Sequence, residues 1–305
     1  MSMLDRLVGN AALRADLQTA LRTGRLAHSI LLVGEAGCGA GFAARCLAAD
    51  YLYPGGGAHA EAVLRGEDSE CITVRGEGAS GQIKVERIRA AREGIQHSAL
   101  SADATGRVLF LYGAQNLNGS SANAMLKIIE EPPEGVLFLF TATSAASVMA
   151  TIRSRCAAYT VAPVEAGACA GALRAALPTL TPDAAGELAF LYEGHIGTCL
   201  RAVRDEKLRA ARTDAVQICG YLQKRDVYKV AALLAGCEKD REHAKNLLWQ
   251  LGQYGSAALR RPGFAGMDSA RAAVLLQALS HANRALAANG NLRLTLTVLG
   301  AEMTK

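Results

Sequence analysis

A glycine-rich loop between an apolar strand and a helix constrains this chain more than any other feature. The apolar run Ser29–Val33 predicts a buried strand, and Phe42–Tyr51 predicts the helix that follows it. The segment Gly34–Gly41 between them contains four glycines. A strand, a glycine loop and a helix in this order are typical of proteins whose backbone amides bind phosphate. The segment therefore predicts an α/β module built around a phosphate loop.

The loop lacks the side chains that a phosphate loop uses in hydrolysis. A working loop reads Gly-x-x-x-x-Gly-Lys-Ser/Thr, in which the lysine contacts the phosphates and the hydroxyl binds magnesium. Gly34, Gly37 and Gly39 are present, but Ala40 stands at the lysine position and Gly41 at the hydroxyl position. Without that cation and metal ligand, a γ-phosphate loses its main electrostatic stabilisation. We therefore expect a degenerate, structural loop, with weak phosphate binding by the three glycines as the alternative.

The same loop also matches a second phosphate-binding pattern. Gly39–Ala44 fits Gly-x-Gly-x-x-Ala, the dinucleotide-binding fingerprint, whose first glycine follows the strand almost directly. Here the five residues Gly34–Cys38 intervene, and the acid at a suitable distance, Glu61, has no clear strand before it. A dinucleotide-binding oxidoreductase is therefore an alternative of a different class.

The first 160 or so residues alternate strand-like and helix-like segments, which indicates a mainly parallel sheet. The remaining predicted strands are Cys71–Val74, Val108–Tyr112, Val136–Thr141 and Ala157–Val161. We predict a polar connection over Pro54–Ser69 and a short helix over Ala146–Ile152. Beyond Pro163 the pattern becomes helical, so we predict an α/β domain over 1–162, a helical domain over 163–205 and a second over 206–305.

The residues at the carboxyl end of the strand Val108–Tyr112 also indicate that the chain does not hydrolyse ATP. In phosphate-loop ATPases the corresponding strand ends in acids that hold magnesium and polarise the attacking water. Tyr112 and Gly113 stand there instead. Losses at two separate places argue against an ATPase.

Composition and apolar run lengths restrict the partners and the cellular location expected for the protein. The net charge of +5 permits contact with nucleic acid or an acidic partner without requiring it. The longest apolar runs are strand-sized, far below the roughly 20 residues of a membrane helix, so we expect no membrane span. The start of the chain shows no export signal, so we expect a cytoplasmic protein.

The eight cysteines include no Cys-x-x-Cys pair, which argues against a zinc ribbon or a disulfide framework. We expect them to be mostly small buried apolar residues. Cys46, His59 and Cys71 are a loosely spaced candidate set for a metal, but a structural role is the favoured interpretation and no metal site is predicted.

Several segments resemble those of a known family. They are Leu7–Asn10, Gly24–Ser29, Ser121–Pro133, Ile152–Cys156 and Asn289–Leu294, the last being similar to an Asn-x-Asn-x-x-Leu collar motif. On these motifs, which span nearly the whole chain, the sequence resembles the delta-prime subunits of bacterial DNA polymerase III clamp loaders and their gamma/tau relatives. The resemblance implies an AAA+ α/β domain with a parallel sheet, a small helical lid and an all-helical collar for oligomerisation.

The resemblance assigns a role to the triplet Ser154-Arg155-Cys156. It implies that Arg155 reaches across a subunit interface to the γ-phosphate of ATP bound by the neighbour, with Ser154 and Cys156 as motif context. A guanidinium suits this role because it is planar, always charged and able to bind two phosphate oxygens. Arg153 is a candidate either for a second phosphate contact or for an ion pair with a nearby acid, and Lys127 could face nucleic acid or solvent.

The resemblance further implies a non-motor subunit that helps to load the sliding clamp on primed DNA. The implied partners are gamma/tau and delta subunits and, through the complex, the clamp and primer-template DNA. The neighbour would bind ATP, so no cofactor and no intrinsic ATPase are expected, and any polymerase activity would belong to the holoenzyme. An active gamma-type ATPase and a regulatory AAA+ protein outside replication stay open as alternatives.

Two departures from the family pattern matter. The family often carries a four-cysteine zinc module after the phosphate-loop helix, but only Cys46 stands near that place, so zinc is doubtful. The turn Glu193–Thr198 lacks the arginine with which motor subunits sense nucleotide, and Gly197 stands at the matching position. The second departure agrees with a passive subunit.

Overall fold

A computed structural model of the protein describes residues 2–78, 81–96 and 101–304. The chain divides into two compact units, Met1–Ala176 with Gly194–Gly197, and Leu177–Glu193 with Thr198–Lys305. We call them the sheet unit and the helical unit. The three-domain division with boundaries at residues 162 and 205 stays a prediction, because compactness alone does not separate a lid from a collar.

The sheet unit is built on five strands in the order β2-β3-β4-β1-β5, and all four pairings are parallel. The strands are β1 (Ser29–Val33), β2 (Cys71–Arg75), β3 (Arg107–Tyr112), β4 (Val136–Ala142) and β5 (Ala157–Thr160). Each lies within one residue of its predicted bounds. The predicted α/β class with a parallel sheet is therefore confirmed.

Helices account for most of the remaining structure, and among those described none is long and apolar enough to cross a membrane. In the sheet unit they are α1 (Ala11–Arg22), α2 (Ala40–Leu52), α3 (Ala58–Arg65), α4 (Val85–Ile95), α5 (Gly119–Glu130), α6 (Ala150–Arg153) and α7 (Ala166–Ala176). The others are α8 (Pro182–Leu191), α9 (Ile196–Arg204), α10 (Glu206–Gln223), α11 (Val227–Gly236), α12 (Arg241–Arg260), α13 (Ser269–Ala287) and α14 (Leu292–Met303).

The three central strands of the sheet, β3, β4 and β1, are buried on both faces. Along β3, Val108 and Phe110 join the apolar cluster that contains α2, whereas Leu109 and Leu111 join the cluster that contains α4 and α5. A parallel strand covered by helices on both sides needs apolar side chains at every position. This explains why the strands are visible in the sequence as continuous apolar runs.

Two local predictions differ from the structure. The stretch Pro54–Ser69 contains α3, a short helix that ends at Gly66 in the left-handed conformation, with φ of 78°. The predicted helix Ala146–Ile152 is interrupted, because Val148 is extended and buried between a 3-10 turn and α6. Short helices flanked by glycine, and helices broken by one buried residue, leave little periodic signal.

The cysteines are free thiols, six of them buried and two, Cys71 and Cys156, partly buried, as expected. Burial raises the pKa of Cys46 and of Cys219 to about 12. Because the unfolded chain ionises these thiols near pH 8.5, the stability they contribute is complete below that pH and is lost as pH rises toward 12. We expect roughly 1–2 kcal/mol less stability per fully buried thiol at pH 10 than at pH 8.

Denaturant unfolding at the two pH values measures this loss. The variant Cys219→Ala is the control, because removing one titrating thiol should reduce the difference in unfolding free energy between pH 8 and pH 10. Equal unfolding free energies at the two pH values would contradict the expectation.

Candidate functional site

The glycine loop leaves the carboxyl end of β1 in a conformation that requires glycine. The Gly34 N–H donates to the Ala142 carbonyl at 2.9 Å, and a Cβ on Gly34 would lie 2.4 Å from the Val161 carbonyl oxygen. Gly37 and Gly39 have φ of 90° and 107°, in the left-handed region that favours glycine. Gly39 is the residue that precedes α2. The structure thus places all three predicted glycines in one loop ahead of a helix.

An aromatic ring lies against the position where a phosphate loop carries its hydroxyl. A Cβ added to Gly41 would lie 3.2 Å from Cε1 of Tyr112, at the end of β3. The Tyr112 ring stacks on Phe110 with centroids 5.6 Å apart, and the Arg75 guanidinium lies 4.4 Å from its centroid. Tyr112, at the carboxyl end of β3, is therefore held close to Gly41, in the space that a side chain at position 41 would need. A serine or threonine at position 41 would require this ring to shift.

A second backbone segment lies on the loop. The Gly197 N–H donates to the Gly37 carbonyl at 2.8 Å, and a Cβ on Gly197 would lie 3.0 Å from that oxygen. Nε2 of His195 lies 3.2 Å from a carboxylate oxygen of Glu35. The segment Gly194–Gly197 therefore contacts the loop directly, and a side chain at position 197 would be crowded.

The Arg155 guanidinium lies at the surface, where an ion pair holds it. Arg155 follows Ser154, the C-cap of α6, and its Nη2 lies 2.6 Å from Oε1 of Glu130 at the end of α5. Its Nη1 donates to the Thr151 carbonyl at 3.1 Å and to Oγ of Ser154 at 3.4 Å. The Arg155 and Glu130 side chains are 40% and 48% exposed. An ion pair this exposed contributes at most about 1 kcal/mol, so Arg155 can exchange Glu130 for another anion at little cost.

The other residues of the triplet and its surroundings have local structural roles. Cys156 packs against the α4–α5 apolar cluster, and burial raises the pKa of its thiol to about 12, so it is not an activated nucleophile. Oγ of Ser154 donates to the Thr151 carbonyl at 3.1 Å. Arg153 donates to the Ala145 carbonyl at 2.9 Å, and Lys127 is exposed on α5. The exposed guanidinium of Arg155 is thus the chemically available group of the triplet.

Potential metal ligands lie elsewhere than the sequence indicated. Among the described residues, Cys46, His59 and Cys71 do not bring their ligand atoms together. Asp214, Cys237 and His243 of the helical unit do, with ligand atoms all within 4.8 Å of one another. No spacing in the sequence points to this group, because its members are brought together by helix packing.

The segment Asn289–Leu294 forms the turn between α13 and α14. Asn289 has φ of 59°, and the Gly290 N–H donates to the Ala285 carbonyl at 2.8 Å, which is the pattern of a Schellman helix end. The Asn291 side chain accepts from the Leu294 N–H at 3.0 Å and caps α14. Both asparagines of the motif therefore serve the helix–helix junction.

The sequence of this chain matches the model of a known protein family. The family described as "DNA polymerase III, delta subunit" matches residues 9–165, which is more than half of the chain. The gamma/tau subunit of DNA polymerase III from Mycobacterium tuberculosis is 34% identical over 158 residues, covering 49% of this chain and 27% of that protein. The delta′ subunit from Haemophilus influenzae is 40% identical over 75 residues, covering 24% and 22%. The chain thus spans about a quarter of the length of these curated relatives.

Solved structures agree at the level of the fold. A DNA polymerase III gamma subunit-related protein from Thermotoga maritima has a TM-score of 0.50 at 18% identity, over 94% of this chain and 98% of that chain. The RuvB Holliday junction branch migration motor from Thermotoga maritima has a TM-score of 0.52 at 15% identity, over 99% and 89%. Both are AAA+ proteins, so the AAA+ fold expected from the sequence is confirmed.

Proposed function

Because the chain belongs to the DNA polymerase III delta-subunit family of AAA+ clamp-loader proteins, we propose that it is a non-motor subunit of the loader. In this role it offers Arg155 to ATP bound by a neighbouring gamma/tau subunit and hydrolyses no ATP itself. Its partners would be gamma/tau and delta and, through the assembly, the sliding clamp and primer-template DNA in the cytoplasm. Any polymerase activity belongs to the holoenzyme.

One contrast within the sheet unit carries the proposal. The Gly34–Gly41 loop offers no cation at the lysine position, and the Tyr112 ring lies against the place of the metal-binding hydroxyl. Arg155, by comparison, presents a 40% exposed guanidinium that is held mainly by one half-exposed carboxylate. A charged guanidinium supplied in trans stabilises the charge that develops on a transferred phosphoryl group. The chain is therefore equipped to assist hydrolysis at another subunit's site.

Exposed apolar side chains support the assembly role of the helical unit. Val227 and Tyr228 on α11 and Leu294 and Val298 on α14 are exposed, with Tyr228 at 82% and Leu294 at 64%. The two helices pack against each other. A contiguous patch of large apolar side chains is typical of protein–protein contacts. We propose that these exposed side chains of α11 and α14 contact neighbouring loader subunits.

Nucleotide titration of the purified chain tests the proposal. We expect no magnesium-dependent turnover and a Kd for ATP above about 1 mM, because the loop lacks the charge and the metal ligand that give phosphate loops their affinity. The double variant Ala40→Lys/Gly41→Ser should also lack turnover, since Tyr112 stands at the acid position and crowds position 41. A purified ATP-binding gamma subunit is the positive control for the assay.

An active gamma-type ATPase is the second candidate, favoured by the 158-residue similarity to a gamma/tau subunit. It predicts micromolar ATP affinity with magnesium-dependent turnover in the isolated chain. That result would replace the non-motor assignment. Membership of this family argues against the alternative of a dinucleotide-binding oxidoreductase.

A further inference from the structure

The helical unit holds a mixed set of metal-ligating side chains at the junction of three helices. Asp214 projects from α10, Cys237 immediately follows α11, and His243 lies in the first turn of α12. Nε2 of His243 lies 2.8 Å from Oδ2 of Asp214, and all three ligand atoms lie within 4.8 Å of one another. Cys237 is 4% exposed, and the other two side chains are partly exposed. The group is thus compact and partly exposed.

We propose that Asp214, Cys237 and His243 form a binding site for a divalent zinc ion. A thiolate, an imidazole and a carboxylate together suit zinc, which takes sulfur, nitrogen and oxygen ligands in tetrahedral geometry. Neighbouring ligand atoms around tetrahedral zinc lie about 3.4 Å apart, so the observed cluster needs only small side-chain adjustments. A water molecule would complete four ligands. Binding would release the thiol proton of Cys237 as the sulfur–zinc bond forms.

The surrounding charge favours a cation. Besides Asp214, the Asp240 carboxylate lies at the start of α12, where its Oδ1 accepts from the His243 backbone N–H at 2.9 Å. That contact also fixes the backbone of a ligand residue, as supporting groups commonly do in metal sites. Two carboxylates thus lie beside the histidine and the thiol, and their charge would help to balance that of a divalent ion.

Two plainer interpretations explain less of the arrangement. A simple His–carboxylate ion pair accounts for Asp214 and His243, as for His281 and Glu302 elsewhere in the helical unit, but not for the thiol beside them. A catalytic cysteine requires an activated thiolate, whereas Cys237 donates to the Leu233 carbonyl at 3.4 Å and burial raises its pKa to about 11. A metal site uses all three side chains together.

Metal binding by the full chain tests the proposal, with no dependence on loader activity. After chelation and dialysis against Zn²⁺, we expect one zinc per chain by atomic emission, and a rise of about 5 °C in the unfolding temperature at a hundredfold excess of zinc over its Kd. Substitution with Co²⁺ should give a thiolate-to-cobalt charge-transfer band. Cys237→Ser should abolish the band, and His243→Gln should weaken zinc binding by about 100-fold or more.

Matched controls isolate the site. His281→Gln removes a similar His–carboxylate pair without a nearby thiol, and Cys219→Ala removes a buried thiol in the same unit, so both should bind zinc like the unmodified chain. Failure of the unmodified chain to retain zinc, or a charge-transfer band that persists in Cys237→Ser, would overturn the proposal. If Cys237→Ser does not fold, His243→Gln takes its place: zinc content and a cobalt spectrum equal to those of the unmodified chain would overturn the proposal.

Discussion

Replacing Arg155 with alanine in a reconstituted loader is expected to lower ATP hydrolysis by about 10³-fold or more at the site that Arg155 faces. The guanidinium would no longer balance the charge that spreads over the phosphoryl oxygens. Assembly should survive, because the Arg155–Glu130 pair is half exposed and contributes at most about 1 kcal/mol to stability. Single-turnover hydrolysis in the presence of clamp and primed DNA measures the effect, and gel filtration measures assembly.

Two variants sharpen this experiment. Arg153→Ala separates the two arginines of the segment: Arg153 donates to the Ala145 carbonyl, so we expect its loss to lower hydrolysis far less than the loss of Arg155 does. Arg155→Lys should stay impaired, since an ammonium keeps the charge without the two-pronged geometry. Unchanged hydrolysis in Arg155→Ala would remove the functional assignment of the triplet.

Replacing Glu70 with alanine is expected to cost about 3–5 kcal/mol of folding stability, because it leaves a buried arginine without its anion. Glu70 is fully buried, with its carboxylate 3.2 Å from Nε of Arg107. Its other oxygen accepts from the Ser101 N–H at 2.8 Å, and Arg107 also donates to the Gly94 carbonyl. The pair thus connects the starts of β2 and β3 to α4, and chemical denaturation measures its loss.

The control for burial is an ion pair of the same type at the surface. Arg65 and Glu67 lie 2.7 Å apart with both side chains more than half exposed, so Glu67→Ala should cost less than about 1 kcal/mol. The double variant Glu70→Leu/Arg107→Met should recover much of the stability lost in Glu70→Ala, since no buried charge then lacks a partner. Equal losses for Glu70→Ala and Glu67→Ala would contradict the role of burial.

The sheet can be predicted from the sequence because helices cover both faces of its central strands. Val108–Tyr112 and Val136–Thr141 read as strands because parallel strands between two helical layers are apolar on both faces. The helix α3 was missed because its eight residues lie between glycines and carry too few turns for a periodic signal. The local sequence pattern thus predicts the buried strands better than it predicts the short connecting helices.

The sequence points to Arg155 and lacks the lysine and the acids at their motif positions, because motifs fix residue type and spacing. The role of Arg155 stays a prediction. The sequence did not reveal that Glu130 pairs with Arg155 or that the Tyr112 ring lies in the space that a side chain at position 41 would need. Those contacts depend on how α5, α6 and β3 pack, and no spacing rule encodes a distance between separate elements.

The most direct test is a structure of the reconstituted loader with a non-hydrolysable ATP analogue and magnesium. The account predicts that the Arg155 guanidinium leaves Glu130 and lies about 3 Å from a phosphate oxygen of nucleotide held by the neighbouring subunit. It also predicts no nucleotide on the Gly34–Gly41 loop of this chain. Arg155 still paired with Glu130 and remote from any phosphate, or analogue and metal bound in this chain's own loop, would contradict it.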